Sequence, residues 1–214
     1  MIRAAAFDIG ETLVDETRVW AGWADALGVT QLTFFGVLGA VIERGEHHRR
    51  VWEIVAPGVD IRAMHDARVA AGEVLDYVAS DLYPDALRCL RALQAGGLRI
   101  ALVGNQPTTV EPFLQALGVQ VDLIASSQRW GVEKPSAAFF ERLVAELGLP
   151  PAEIAYVGDR LDNDVLPARA LGMHAVLLRR GPWGYLHAGS PEAARASAVL
   201  DGLDALPATL AGLK

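Results

Sequence analysis

Asp8 ends the apolar run Ile2-Arg3-Ala4-Ala5-Ala6-Phe7 and is followed by Ile9-Gly10-Glu11-Thr12-Leu13. A carboxylate placed there can attack an electrophile and form a covalent acyl intermediate, which splits one difficult step into two. Asp8 and Thr12 can equally satisfy the backbone donors of a turn. A second place of interest follows Ile100-Ala101-Leu102-Val103, where the loop Gly104-Asn105-Gln106 has backbone N–H groups able to hold an anion. Thr108 and Thr109, just beyond it, are candidate hydroxyls or helix caps. The third is Lys134, in Gly131-Val132-Glu133-Lys134-Pro135. Lys134 and Lys214 are the only lysines among 19 Lys and Arg residues, so an otherwise arginine-preferring chain keeps a compact ammonium here. The fourth is Tyr156-Val157-Gly158-Asp159-Arg160-Leu161-Asp162-Asn163-Asp164. Acidic residues at the end of an apolar strand are poor core material and good ligands for a hard cation such as Mg²⁺.

The elements that must position these residues follow from the apolar pattern. Ile2 to Phe7, Arg99 to Val103, Val121 to Ala125, Ile154 to Val157 and His174 to Leu178 are short runs with little polar alternation. Such runs predict parallel strands covered on both faces. Helical stretches lie between them. One opens at Pro84 and runs through Leu87, Leu90 and Leu93 to Gly96-Gly97; another spans Val110 to Leu117 and stops at Gly118. A third runs from Ser136, a candidate N-cap, to Leu147 and stops at Gly148. This alternation predicts an α/β fold with a Rossmann-like, doubly wound parallel sheet, whose ligand sites gather at the carboxyl ends of the strands. All four motifs sit at such ends. The stretch 15–80 instead shows only amphipathic helical patterns, such as Val19-Trp20-Trp23-Leu27 and Leu32-Phe35-Leu38-Ile42. The predicted division is a core of 1–14 and 81–214 with a helical insertion of 15–80.

Together the four motifs resemble those of the haloacid dehalogenase superfamily, mostly phosphatases, whose first motif is usually Asp-x-Asp-x-Thr. The helical insertion after the first strand looks like the cap of its most common subgroup. The resemblance implies that Asp8 attacks phosphorus and that Lys134 offsets the charge of Asp8 and the incoming phosphate. It implies that Thr12, Gly104, Asn105 and Lys134 contact that phosphate. It also implies Mg²⁺ held by Asp8, the backbone carbonyl of Gly10, Asp159 and Asp164. Charge arithmetic agrees, because one lysine cannot offset three aspartates and a phosphate monoester.

Two departures stand out. Gly10 occupies the place of the family's acid/base aspartate, and Gly104 that of its usual Ser or Thr hydroxyl. General acid/base help is worth ~10²–10⁴-fold in rate. Glu11 is a candidate replacement, although adjacent side chains on an extended segment point to opposite sides. Three outcomes stay open: Glu11 substitutes, turnover is slow, or the chain binds phosphate and metal without turnover in a regulatory role. Haloacid dehalogenases also lack the second aspartate but do not use Mg²⁺, which the pair Asp159 and Asp164 argues against. Phosphonatases need a cap lysine, and none occurs before Lys134.

The bulk properties narrow the partners. The chain has 214 residues, 52% hydrophobic and 21% charged, as a packed globular protein requires. A net charge of −7 argues against nucleic acid or an anionic membrane as partner, leaving a small phosphorylated molecule as the expected substrate. No signal peptide or membrane span is expected, and the single Cys89, set on an apolar helix face, suits a reducing cytoplasm. Within the insertion, Arg18, Arg44, His47, His48, Arg49 and Arg50 are candidate substrate contacts or a solvated face, and Trp20, Trp23, Phe34 and Phe35 its core. Trp183 and Tyr185 follow a core strand and are candidates to flank the site.

Overall fold

The computed structural model describes residues 1–73 and 75–213, so Lys214 lies outside the described residues. The chain divides into two compact units, Met1–Asp15 with Val78–Lys214, and Glu16–Tyr77. Val78 to Ser80, read from sequence as insertion, fall with the larger unit. The reason is a tight turn in which the Val78 N–H donates to the Asp81 carboxylate at 2.9 Å and the Asp81 N–H to the Val78 carbonyl at 2.9 Å. Asp15 joins the same unit by donating its N–H to the Asp81 carbonyl at 2.8 Å.

Among the described residues the larger unit is built on six parallel strands: β1 Ala4–Phe7, β2 Arg99–Gly104, β3 Leu123–Ser126, β4 Ile154–Gly158, β5 His174–Leu178 and β6 Ala198–Leu200. Their spatial order is β3-β2-β1-β4-β5-β6. Every residue of β1 and β4 is buried, as strands covered on both faces must be. Alternate residues Ala4, Ala6, Ala101, Val103, Ile154, Tyr156, Ala175 and Leu177 form one face of the core, filled by Phe139, Phe140, Leu143 and Leu147 of the helix Ala137–Leu147. The small alanines of β1 leave room for those two phenylalanines and the Tyr156 ring, which stack edge-on at 5.2–5.5 Å between centroids. The helix Ala86–Ala95 packs on β2 and buries Cys89, Leu90 and Leu93. Burial first, then Asp85, pushes the Cys89 thiol up to about 12, so it is a packing residue and not a nucleophile.

Three details differ from the sequence reading. β3 starts at Leu123, because the Asp122 carboxylate takes the Ile100 N–H at 2.8 Å in place of a backbone carbonyl, which leaves Val121 and Asp122 outside the strand. β6 has three residues, all at least partly exposed at the sheet edge, and so lacks a continuous apolar run to betray it. Ser136 precedes its helix but makes no capping hydrogen bond with its side chain, while Gly148 does end it in the left-handed region at φ 61°.

Among the described residues the smaller unit holds four helices, Thr17–Ala26, Gln31–Glu43, Arg50–Val55 and Ile61–Ala70. In the second of these the buried stripe is Phe34, Leu38, Val41 and Ile42. Leu32, expected on that stripe, is 86% exposed. Trp20 packs on Phe34, His48 and Trp52, and Trp23 on Trp52 and His65. Among the described residues no single helix is long and apolar enough to cross a membrane.

Candidate active site

In this strand order the chain runs outward from β1 to β3 and then crosses back to lay β4 on the other side of β1. The crevice between β1 and β4 is therefore the switch point at which α/β sheets bind ligands. Asp8 follows β1, Asp159 follows β4, and Gly104 ends β2. Asp8 is held at its place by its own N–H, which donates to the Val157 carbonyl at 2.9 Å. Beyond it the chain folds into a tight turn, with the Leu13 and Val14 N–H groups both donating to the Ile9 carbonyl at 2.9 and 3.0 Å.

Asp164 reaches the same place by a different route. Leu161–Val165 forms one π-helical turn, with the Val165 N–H donating to the Arg160 carbonyl at 3.1 Å. The Leu161 N–H is secured by His187 Nδ1, which accepts it at 3.0 Å. The wide turn swings Asp164 back over β4, where a Cβ on Gly158 would land on its carboxylate. Glycine is thus required at position 158 by close approach.

The structure brings Asp8, Asp159 and Asp164 together, with one oxygen from each lying within 4.8 Å of the others. Lys134, which has no exposed side-chain surface, inserts between two of them. Its Nζ stands 2.7 Å from Asp8 Oδ1 and 2.5 Å from Asp164 Oδ1. Burial alone would lower the lysine, but Asp164 and Asp8 carry it well above its ordinary value, so it is an ammonium. Three carboxylates against one ammonium leave an excess of negative charge. Burial first, then Asp164, Asp8 and Glu11, hold Asp159 well above the carboxylate range. Burial likewise lifts Asp164 to about 6, with Lys134 pulling it down.

Two buried polar atoms here have no hydrogen-bond partner, Asp159 Oδ2 and Thr12 Oγ1. Buried polar atoms are rarely orphaned in a folded protein without a ligand or water to meet them. An all-oxygen donor set with surplus negative charge and an unused carboxylate oxygen fits a hard divalent cation.

Around this centre the structure assigns tasks that the sequence did not reveal. The Asn105 carboxamide clamps the backbone of Lys134, donating to its carbonyl and accepting from its N–H, each at 2.8 Å. Gly104 is covered by the nucleophile candidate itself: a Cβ there would stand 2.7 Å from Asp8 Oδ1. Thr108 donates both its N–H and its hydroxyl to Gln128, at 2.8 and 3.3 Å. Glu11 is buried, with a left-handed backbone at φ 51°, and its carboxylate accepts from the Tyr83 hydroxyl at 2.7 Å. It lies over Gly181, whose missing side chain makes the space. Arg180 backs this arrangement by stacking 4.0 Å from the Tyr83 ring centroid, pairing with Asp85 and donating to the Thr12 carbonyl at 2.8 Å. Trp183 is buried beneath the Arg160 guanidinium, which lies 5.0 Å from its ring, whereas Tyr185 is exposed.

A carboxylate at the end of β1, flanked by a buried ammonium and a cation-type acid cluster at the switch point, defines a class of α/β hydrolase. The chain belongs to the haloacid dehalogenase-like hydrolase family, whose model matches residues 2–172. It is 28% identical over 204 residues to a glyceraldehyde 3-phosphate phosphatase of Methanopyrus kandleri, covering 86% of each chain. To a phosphoglycolate phosphatase of Yersinia pestis it is 32% identical over 201 residues, covering 84% of this chain and 82% of the relative. Its fold matches the L-2-haloacid dehalogenase of Xanthobacter autotrophicus with a TM-score of 0.68 at 21% identity, covering all of both chains. One fold therefore carries both phosphatases and a dehalogenase, and the reaction must be argued from the site.

Proposed function

We propose that this hydrolase is a Mg²⁺-dependent phosphatase that acts on a small phosphorylated metabolite through an aspartyl-phosphate on Asp8. The observation that carries the reading is the triad Asp8, Asp159 and Asp164 around Lys134, with Asp159 Oδ2 left without a partner. The names of the two relatives support it, since both are phosphatases. Dehalogenation has no use for this surplus of buried carboxylate.

Asp8, Asp159, Asp164 and the carbonyl of Gly10 would hold the Mg²⁺. When bound, the cation offsets the charge of nucleophile and phosphate and lets them approach. Asp8 supplies the attacking oxygen. Lys134 holds Asp8 in place through their ion pair, and meets the incoming phosphate with a positive charge. Asn105 holds Lys134 by its backbone, and the Thr12 hydroxyl and the backbone of Gly104 are the nearby groups for phosphate oxygens. Glu11 accepts a hydrogen bond from Tyr83, which supports a part in holding the turn instead of in proton transfer.

The unit Glu16–Tyr77 serves as the cap that chooses the substrate. Of its candidate contacts, Arg18 is engaged with the Asp76 carbonyl at 2.6 Å and Arg50 with Glu53 and Glu46, while Arg44, His47 and Arg49 are exposed. A reducing cytoplasm suits the single buried thiol.

The test is phosphate release from a panel of phosphate esters with and without Mg²⁺. We expect release only with the cation and its loss in Asp8→Asn. Mg²⁺-dependent phosphate binding without any release would replace this reading by that of a binding protein, and metal-independent halide release by that of a dehalogenase.

A further inference from the structure

In the larger unit, most described side chains near Asp8 that could give a proton to a departing group are committed elsewhere; the unpartnered Thr12 hydroxyl is too weak an acid to serve, and the unpartnered Asp159 oxygen belongs to the cation position. Gly10 and Gly104 bring no side chain, and Asp8 Oδ1 itself fills the space beside Gly104. Lys134 is locked between two carboxylates and has no exposed surface. The Tyr156 hydroxyl is fully buried and donates to the Val103 carbonyl at 3.2 Å. Arg160 is tied to Asp162 at 2.6 Å, and a guanidinium does not give up its proton. Glu11 accepts from Tyr83 and packs over Gly181. Asp159 and Asp164 face the cation position.

From this inventory we infer that the site favours phosphate compounds whose leaving group departs as a stable anion. These are acyl phosphates, aryl or enol phosphates and phosphoanhydrides, with simple alkyl esters the poor substrates. The inference rests on the phosphatase reading above and names the substrate class of that same site.

The bond changes show why. A carboxylate oxygen of Asp8 bonds to phosphorus as the bond from phosphorus to the leaving oxygen breaks, and that oxygen keeps the electron pair. An alkoxide needs a proton at that moment, and among the described side chains of the larger unit the candidate carboxylate outside the cation position, Glu11, is held by Tyr83. A carboxylate, phenolate or phosphate leaving group needs none. Water then adds to phosphorus, Asp8 departs with its electron pair as the free carboxylate, and the water's proton goes to the released phosphate or to solvent. This second step is the same for every substrate. Good leaving groups should therefore share one kcat while differing in kcat/KM.

The experiment measures kcat and kcat/KM for acetyl phosphate, p-nitrophenyl phosphate, phenyl phosphate, 2-phosphoglycolate and glyceraldehyde 3-phosphate, with Mg²⁺ present and Asp8→Asn as blank. The expected result is a steep fall of kcat/KM with leaving-group basicity. The two alkyl esters should lie below acetyl phosphate by on the order of 10²–10⁴-fold, the range a missing general acid is worth. Gly10→Asp, checked for folding by its Mg²⁺-dependent thermal shift, should raise the alkyl esters selectively and flatten the series. Glu11→Gln should leave the slope as it is. A flat series in the wild type, with turnover dependent on Asp8, overturns the inference and leaves the phosphatase reading standing. A series that is shallow in the wild type and steep in Glu11→Gln identifies Glu11 as the proton donor and overturns it likewise. No turnover of any member, acetyl phosphate included, removes the phosphatase reading and the inference together.

Discussion

Lys134 is the residue on which the electrostatics of this site turn. Burying a charge is costly unless it is paired, and breaking a buried pair by removing one partner typically costs ~3–5 kcal/mol. Here removal would leave Asp8 and Asp164 as unpaired buried carboxylates beside Asp159. We predict that Lys134→Met abolishes turnover and destabilises the protein by about 3–5 kcal/mol at pH 7.5. The loss should shrink below pH 5, where Asp164 and Asp159 take up protons instead, and urea unfolding at the two pH values reads it. An equal loss at both would mean that Lys134 acts by packing alone. Glu11 poses the opposite question, because a side chain sits where the backbone is left-handed, at φ 51°. That conformation costs an L-residue roughly 1–2 kcal/mol. The Tyr83 hydroxyl offsets it, and in turn Glu11, after burial, raises the Tyr83 pKa. Tyr83→Phe should cost about 1.5–3 kcal/mol, as loss of a hydrogen bond to a charged group does. An unchanged urea midpoint would show that the turn does not depend on this bond.

Among the elements, the crossing from β3 back to β4 does most to create the site, since it lays Asp8 and Asp159 side by side. The π-helical turn Leu161–Val165 completes it by folding Asp164 over Gly158. Gly158→Ala would force that turn away from the strand. We expect a weaker Mg²⁺ response in a thermal melt and a fall in kcat/KM of at least about tenfold, as small misplacements of a catalytic group produce. A variant with wild-type Mg²⁺ response would show that the close approach is not needed. Much of this was readable in advance. β1, β2, β4 and β5 announce themselves as apolar runs because both faces of each are covered, and Asp8 and Asp159 stand out as charges at the ends of β1 and β4. The short edge strand β6 carries no such pattern. The supports of the site were hidden for a different reason: Tyr83 meets Glu11 across 72 positions and Arg180 meets Thr12 across 168, and no local spacing encodes such contacts. The Asn105 clamp was equally out of view, because nothing in Gly104-Asn105-Gln106 says whether the amide faces a ligand or the Lys134 backbone.

At the scale of the whole molecule these local charges become a dependence of stability on pH and metal. Asp164 is lifted to about 6 and Asp159 higher than an ordinary carboxylate, both first by burial. In the unfolded chain each titrates near ~3.9. Between those values the folded protein binds more protons than the unfolded one, so Asp164 reduces stability as pH rises from about 4 through 6, and Asp159 acts in the same direction. A cation favours the ionised carboxylates and should reverse this. Mg²⁺ at 100 times its Kd would stabilise by ~2.7 kcal/mol, with a larger rise in Tm at pH 7.5 than at pH 5. A rise of equal size at both would contradict the carboxylate site. Whether Asp8 carries the phosphoryl group is read by acid-quenching the enzyme during turnover of acetyl phosphate with Mg²⁺. Peptide mass mapping should find one phosphoryl group on the peptide that contains Asp8, absent in Asp8→Asn. Sustained turnover by Asp8→Asn, or a phosphoryl group on any other residue, would contradict the account.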